Sequence, residues 1–309
     1  MVDVTILGDI NVDLITSPIR KYPEKDSQIV VPYVSLNPGG SAANTAIACS
    51  RLDLKTRFIG KLAYDEFSEY LLKILKKVKV DYKIKRVKEG RTGITLAITF
   101  NDETRSFITF RGTNETLSLN DLKLKDIKGK VFMVAGFNHL NALRKDVKHL
   151  YEYARDKGMK TGLDPNWDPE GWTRKRLKEI HEIIKVSDWL FPDLREGRAL
   201  TKVKNKEKIV KTLLKLGPKI VCLKLGEHGC LVGYENKIKH IKSFEVKAIN
   251  PTGAGDVFTA AFIKGYLAGW DVEEIVKFAN AAGALSTTKL GLERYPTFDE
   301  VTEFLEKFY

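Results

Sequence analysis

Asn250-Pro251-Thr252-Gly253-Ala254-Gly255-Asp256, followed at once by Val257-Phe258-Thr259-Ala260-Ala261-Phe262, decides the reading of this chain. Small residues entering an apolar helix leave backbone N–H groups without intrahelical acceptors and let a ligand come close to them. With the positive end of the helix dipole, the N–H groups of Gly253, Ala254 and Gly255 would form an anion hole suited to a migrating phosphoryl group. Asp256 stands at the same helix start. A hydroxyl attacking phosphorus must lose its proton to a nearby base, and Asp256 fits that role. A tight turn with Asp256 as its N-cap is the competing interpretation of the motif taken alone.

Working outward, a second run has the same character: Asn37-Pro38-Gly39-Gly40-Ser41-Ala42-Ala43-Asn44. Its paired glycines let a ligand approach the backbone, and Asn44, one turn into the helix, can aim an amide at a hydroxyl. Helix–sheet packing with Ser41 as a cap is the plainer reading. Upstream, Asn11 and Asp13 lie two apart on a strand and share one face, a bidentate grip for a polyol. Downstream, Pro192-Asp193-Leu194-Arg195-Glu196 follows the strand-like Trp189-Leu190-Phe191. Carboxylates at the carboxyl end of a parallel strand sit where open α/β sheets bind ligands, and these could hold Mg²⁺ through waters. Asp193 could equally cap the next helix.

Short β-rich runs at 2–8, 57–60, 131–136, 161–164, 189–191 and 220–225 alternate with helical spacing at 44–52, 65–77, 143–157, 172–185 and 207–216. That rhythm predicts an α/β fold, a mostly parallel sheet covered by helices on both faces. The last third is helical at 257–267, 272–285 and 298–308, with Gly269 at a C-cap position. Two regions break the rhythm. Residues 92–100 alternate strictly, turn at Asn101-Asp102-Glu103 and return at 106–111, while 12–15 and 28–34 flank a proline-bearing loop. These four strands predict a small separate sheet, with segments 12–36 and 91–112 forming a lid on a single domain spanning 1–309.

The 309 residues carry 43% hydrophobic and 30% charged side chains, the balance of a globular protein rather than a disordered one. Three cysteines without a CxxC pair argue against a disulfide framework and for a reducing, cytoplasmic setting. No stretch approaches the ~20 apolar residues a membrane span needs, and no secretory leader is read at the start. The net charge of +12 is partly carried by lysines in 71–88, which read as a solvated helix face. No nucleic-acid reader motif accompanies it. A G-x-G-x-x-G after the first strand and a G-x-x-x-x-G-K-[ST] are both absent, against a Rossmann oxidoreductase and a P-loop ATPase.

In order and spacing, Gly8-Asp9-Ile10-Asn11-Val12-Asp13, Gly39-Gly40-Ser41-Ala42-Ala43-Asn44 and Thr252-Gly253-Ala254-Gly255-Asp256 resemble the motifs of the ribokinase-like (PfkB-type) carbohydrate kinases over nearly the whole chain. The resemblance implies a three-layer fold with a β-sheet lid, and ATP and Mg²⁺ as cosubstrate and cofactor. It implies acceptor binding by Asn11, Asp13, Gly39, Gly40 and Asn44. Asp256 matches the family's base. Asp193-Leu194-Arg195-Glu196 is similar to its magnesium motif, with Asp in place of Asn and Glu196 retained for a water-held Mg²⁺. Lys224-Leu225-Gly226-Glu227-His228-Gly229 resembles the nucleotide loop, with Lys224 where Thr is usual, and Asn280 falls where the family meets adenine. Arg111 resembles an arginine of the keto-acid sugar kinases, although a surface salt bridge explains it as well. Potassium-activated members carry Asp where this chain has Asn250, and Thr where it has Pro251, so a potassium site is not implied. Ribokinases proper carry Lys at the position of Ser41 and a Glu near 136–138; both are missing, which disfavours ribose. The expectation is a kinase acting on a sugar, nucleoside or polyol hydroxyl, paired as a homodimer through its lid. Nucleoside kinases, ADP-using members and a non-catalytic sugar- or nucleotide-binding regulator are the alternatives.

Overall fold

A computed structural model describes residues 2–102 and 104–308; the predicted turn residue Glu103 lies outside them. The first half contains β1 (Val4–Gly8), β2 (Asn11–Thr16), β3 (Val34–Gly39), α1 (Ser41–Arg51), β4 (Thr56–Ala63), α2 (Glu66–Lys77), β5 (Asp81–Val87), β6 (Gly93–Thr99), β7 (Arg105–Phe110) and β8 (Val131–Ala135). The second contains α3 (Val147–Asp156), β9 (Lys160–Leu163), α4 (Arg174–Ile184), β10 (Trp189–Leu190), α5 (Leu194–Thr201), α6 (Lys206–Leu216) and β11 (Ile220–Lys224). It ends with β12 (Cys230–Tyr234), β13 (Lys237–Ile241), α7 (Ala254–Ala268), α8 (Val272–Ser286) and α9 (Phe298–Glu306).

Nine strands form one sheet in the order β13-β12-β11-β10-β9-β8-β1-β4-β5. All pairings are parallel except β11–β12 and β12–β13. Both faces are buried, so a strand such as Val4-Thr5-Ile6-Leu7 is buried along its whole length and mostly apolar rather than alternating. Ile6 joins Ile47, Phe58, Phe262 and Val276 in the core on one face; Leu7 joins Phe132, Leu150, Ile183 and Leu213 on the other. Trp189 anchors α7 to the sheet, its ring set edge-to-face against Phe262 at 5.3 Å and Tyr266 at 4.4 Å. The parallel strands therefore end together on one edge, where the loops to the helices begin.

The second sheet, in the order β3-β2-β6-β7, is the expected four-stranded layer. Its cross-strand register sorts the side chains into two faces. Asn11, Asp13, Asn37, Thr95, Thr109 and Arg105 share one; Leu14, Leu36, Leu96, Ile108 and Phe110 share the other. The expected strand at 28–34 is displaced to Val34–Gly39. Pro32 interrupts the earlier run, whereas 34–39 pair residue for residue with β2, from Thr16–Val34 to Asn11–Gly39. Pro38 is tolerated because β3 is an edge strand. The run 71–88 is also not one helix face. It divides at Lys79 (φ 61°) into the end of α2 and the edge strand β5, whose Tyr82 and Ile84 lean on the core while Lys83 and Lys85 face water.

Candidate active site

Gly253 precedes α7 with φ 81°, a left-handed conformation that carries the chain from the Asn250-Pro251-Thr252 loop into the helix. Among the described residues the N–H groups of Gly253 and Gly255 meet no acceptor, while the Ala254 N–H makes a long 3.3 Å turn bond to the Pro251 carbonyl. Asp256 lies inside the first turn of α7, so it is not the N-cap; Gly253 is. Its carboxylate is gripped on both oxygens. Ser41 Oγ donates to Oδ1 at 2.6 Å and Asn44 Nδ2 donates to Oδ2 at 2.9 Å. Ser41 is thus a partner of Asp256 rather than a helix cap: Gly40 occupies the N-cap of α1 and no side chain caps there. Gly40, at φ 88°, packs so closely on β1 that a Cβ would stand 2.6 Å from the Asp9 carbonyl oxygen.

Burial pushes Asp256 up to about 7, helped by the nearby Asp164 carboxylate and opposed by the Ser41 and Asn44 hydrogen bonds and by Lys224. A base with that affinity is divided between its two protonation states near neutrality, where proton transfer in both directions is easiest. Lys224, at the end of β11, is partly buried with its Nζ 2.7 Å from Asp164 Oδ2. That ammonium lies 3.2 Å from the position a Cβ on Gly255 would take, so it flanks the open N–H groups at the start of α7. Burial alone would depress it, but the Asp164 and Glu196 carboxylates hold it above the ordinary lysine range.

Asn11, Asp13 and Gly39, expected on the acceptor side, lie together. Asn11 Nδ2 donates to Asp13 Oδ1 at 2.8 Å and to Thr95 Oγ1 at 3.2 Å, and Asp13 packs against Gly39. Burial raises Asp13 to about 7 against the pull of Arg294. Arg111, by contrast, is ion-paired with Glu170 at 2.6 Å and Glu115 at 3.7 Å. At the end of β10, Asp193 caps α5 and Glu196 returns the bond to the Asp193 N–H, so the capping role is real. Each carboxylate keeps its other oxygen, and Asp164 Oδ1 has no hydrogen-bond partner among the described residues. Glu196 is buried and raised well above the usual carboxylate range, by burial first and then by Asp193 and Asp164. The described residues hold no set of three metal ligands. This acidic edge suits a hydrated Mg²⁺ whose inner ligands come from nucleotide phosphates. Gly226 and Gly229 shape the β11–β12 connection, and Gly229 presses on the Ile241 carbonyl. Asn280, on α8, spends its amide donors on the Ile241 and Lys242 carbonyls of that same rim.

Several site residues escaped the sequence reading. Asp9 accepts from the Ala42 N–H at 3.0 Å and pairs with His139 Nδ1 at 3.0 Å, tying β1 to α1 and to the turn after β8. Asp164 was available by the rule that selected Asp193, since it too ends a parallel strand. Arg105, on the polar face of the small sheet, donates to Asn250 Oδ1 at 3.4 Å and contacts Thr252 Oγ1. Arg294 and Tyr295 both meet Asn44 Oδ1, in a segment carrying no motif.

A buried carboxylate at a helix start, with open N–H donors and a partly buried ammonium beside it, is equipment for in-line phosphoryl transfer to a small molecule. Residues 1–297 match the profile of the pfkB family carbohydrate kinases. The chain is 31% identical over 290 residues to probable fructokinase-3 of Arabidopsis thaliana, covering 87% of this chain and 83% of the relative. It is 28% identical over 322 residues to the 5-dehydro-2-deoxygluconokinase of Clostridium perfringens, covering 99% and 93%. The ribokinase structure from Thermotoga maritima superposes with a TM-score of 0.82 at 26% identity, covering 99% of this chain and all of the other. The chain belongs to the pfkB family of carbohydrate kinases, with a ribokinase-like fold, and is an ATP-dependent carbohydrate kinase.

Proposed function

We propose that this kinase transfers the γ-phosphate of ATP to a hydroxyl of a sugar, sugar acid or polyol held by Asn11, Asp13, Gly39, Gly40 and Asn44, with Asp256 as the base. The observation that carries this reading is the two-point grip of Ser41 and Asn44 on the Asp256 carboxylate, beside the N–H groups of Gly253 and Gly255. The acceptor oxygen attacks the γ-phosphorus while its proton passes to Asp256. The bond from phosphorus to the bridging oxygen breaks, and ADP leaves with that electron pair. The N–H groups and Lys224 offset the charge that grows on the migrating group. Asp193, Lys224, Gly226, Gly229 and Asn280 form the nucleotide side. Glu196 would hold Mg²⁺ through water, and the ion would neutralise the β- and γ-phosphates.

In this reading residues 1–309 work as one catalytic unit, with the small sheet as a lid over the acceptor. The apolar lid face leaves Val34 51%, Ile108 62% and Phe110 54% exposed, which favours a second copy of the chain packing there. Three buried free cysteines fit a reducing cytoplasm, and no helix among the described residues is long and apolar enough to cross a membrane. Sedimentation at micromolar concentration tests the dimer: a monomer throughout would remove it. The function is tested with radiolabelled ATP against fructose, ribose, 2-keto-3-deoxygluconate, 5-dehydro-2-deoxygluconate, polyols and nucleosides, with ADP as the control donor. Label should enter a sugar, sugar acid or polyol from ATP. Label in nucleosides alone, or transfer from ADP alone, would overturn the reading.

A further inference from the structure

Arg294 ends the short turn Gly291–Arg294 between α8 and α9, and is only 2% exposed. A guanidinium that deep has lost its hydration, a large cost unless its neighbours make use of the charge. Its Nη2 donates to the Pro38 carbonyl at 3.3 Å, to Asn44 Oδ1 at 3.1 Å and to the Tyr295 hydroxyl at 2.7 Å. The Tyr295 hydroxyl, itself buried, donates onward to Asn44 Oδ1 at 2.7 Å. Guanidinium is a donor without acceptors, so the Asn44 atom that faces it must be the amide oxygen. With Oδ1 held by two donors, Nδ2 has one direction left, and there it meets Asp256 Oδ2 at 2.9 Å. Nη2 also stands 3.3 Å from where a Cβ on Gly253 would be, directly behind the anion hole.

We propose that Arg294 and Tyr295 are positioning residues for phosphoryl transfer: together they fix the Asn44 amide as a donor to Asp256, and so aim the base and favour its ionised form. The inference rests on Asp256 being that base. The charged and titratable groups facing Asp256 are Asp164 from the end of β9, Lys224 from β11, and Arg294 and Tyr295 from the turn before α9. Asp13, from β2, faces Arg294. Of these, the Arg294–Tyr295 pair is the one that acts on Asp256 through a shared side chain. Its two remaining nitrogens, Nε and Nη1, have no partner among the described residues, so its polar contacts are concentrated on Asn44, Tyr295 and Pro38.

The test uses the full-length protein and the variants Tyr295→Phe, Arg294→Met, Asn44→Ala and Tyr295→Phe/Asn44→Ala. The Asp256 carboxyl is titrated by infrared difference spectroscopy, each protein against its own Asp256→Asn counterpart, which needs no acceptor. Turnover is read with ATP and fructose, or with whichever sugar of the panel accepts label. Tyr295→Phe should move the Asp256 midpoint to higher pH and lower kcat by about threefold to tenfold, the scale of one lost hydrogen bond, with KM for ATP unchanged. Arg294→Met should do the same more strongly. In the Asn44→Ala background Tyr295→Phe should cost nothing further, because its effect passes through Asn44. An unmoved midpoint, or a full additive loss in that background, overturns the inference. Should Arg294→Met fail to fold, the Tyr295→Phe cycle decides alone. Asp256→Asn keeps the two readings apart. If it retains wild-type kcat, the base assignment falls and this inference with it; if it is inactive while Tyr295→Phe is silent, only this inference falls.

Discussion

Asp256, the proposed base, shows how its surroundings can suit one carboxylate to that role. Burial lifts it to about 7, and Ser41, Asn44 and Lys224 keep it from rising further. The working form is ionised, so kcat/KM should climb with pH through about 7 and flatten above it, as a pH series in constant ionic strength will show. Asp256→Asn should bind nucleotide as before and lose about 10²–10⁴ in turnover, measured by coupled ADP release beside nucleotide titration calorimetry. Glu196 is a second case. Its buried carboxyl shares a capping box with Asp193, which engages one of its oxygens; in the proposed reading the other faces a hydrated ion. Activity should vanish in EDTA, and Glu196→Gln should raise the Mg²⁺ concentration needed for half-maximal rate; full turnover in EDTA contradicts this. Asp256 and Asn44 could be picked out from runs of small residues at helix starts, Asn11 and Asp13 from their two-residue spacing on one strand face, and Glu196 from its place after a strand end. Arg294 was not, because Gly291-Leu292-Glu293-Arg294-Tyr295 has no such signature, and its role depends on a partner 250 residues away in the chain.

At the scale of elements, β1 and β8 were readable because two-sided burial leaves them largely apolar, and the strands of the small sheet because one polar face makes them alternate. β5 was not, since Lys83, Lys85 and Arg86 on an edge strand look like a helix's wet face. The second lid strand was misplaced because Pro32, Asn37 and Pro38 blur the pattern that only pairing with β2 resolves. The short α5 was hidden under a motif read for its carboxylates. In the proposed reading Asn11 and Asp13 belong both to the lid and to the acceptor site, so binding and lid position would be linked. Amides of β6 and β7 should therefore exchange more slowly once an accepted sugar and a non-hydrolysable ATP analogue are present; equal protection with and without them removes the lid. Strand β7 also delivers Arg105 to Asn250 and Thr252, placing a fixed cation on the loop that leads into the anion hole. Replacing sodium by potassium at constant ionic strength should leave the rate unchanged, and a several-fold gain would show that a monovalent ion still acts there.

For the molecule as a whole, the lid's construction governs how the chain reaches its active form. β2 and β6 lie side by side and parallel, although the Asn11–Thr95 contact between them joins residues 84 apart in sequence. Neither strand can find the other through a local turn. Between them in the chain lie β3, α1, β4, α2 and β5, so their pairing closes a long loop that is cheapest to close once those elements have folded. Refolding should thus recover in two steps, with nucleotide binding returning before turnover in a stopped-flow experiment. A nascent chain with its large sheet complete but its lid unpaired would hold ATP without yet being a kinase, a built-in delay between maturity of the donor site and competence to spend phosphate.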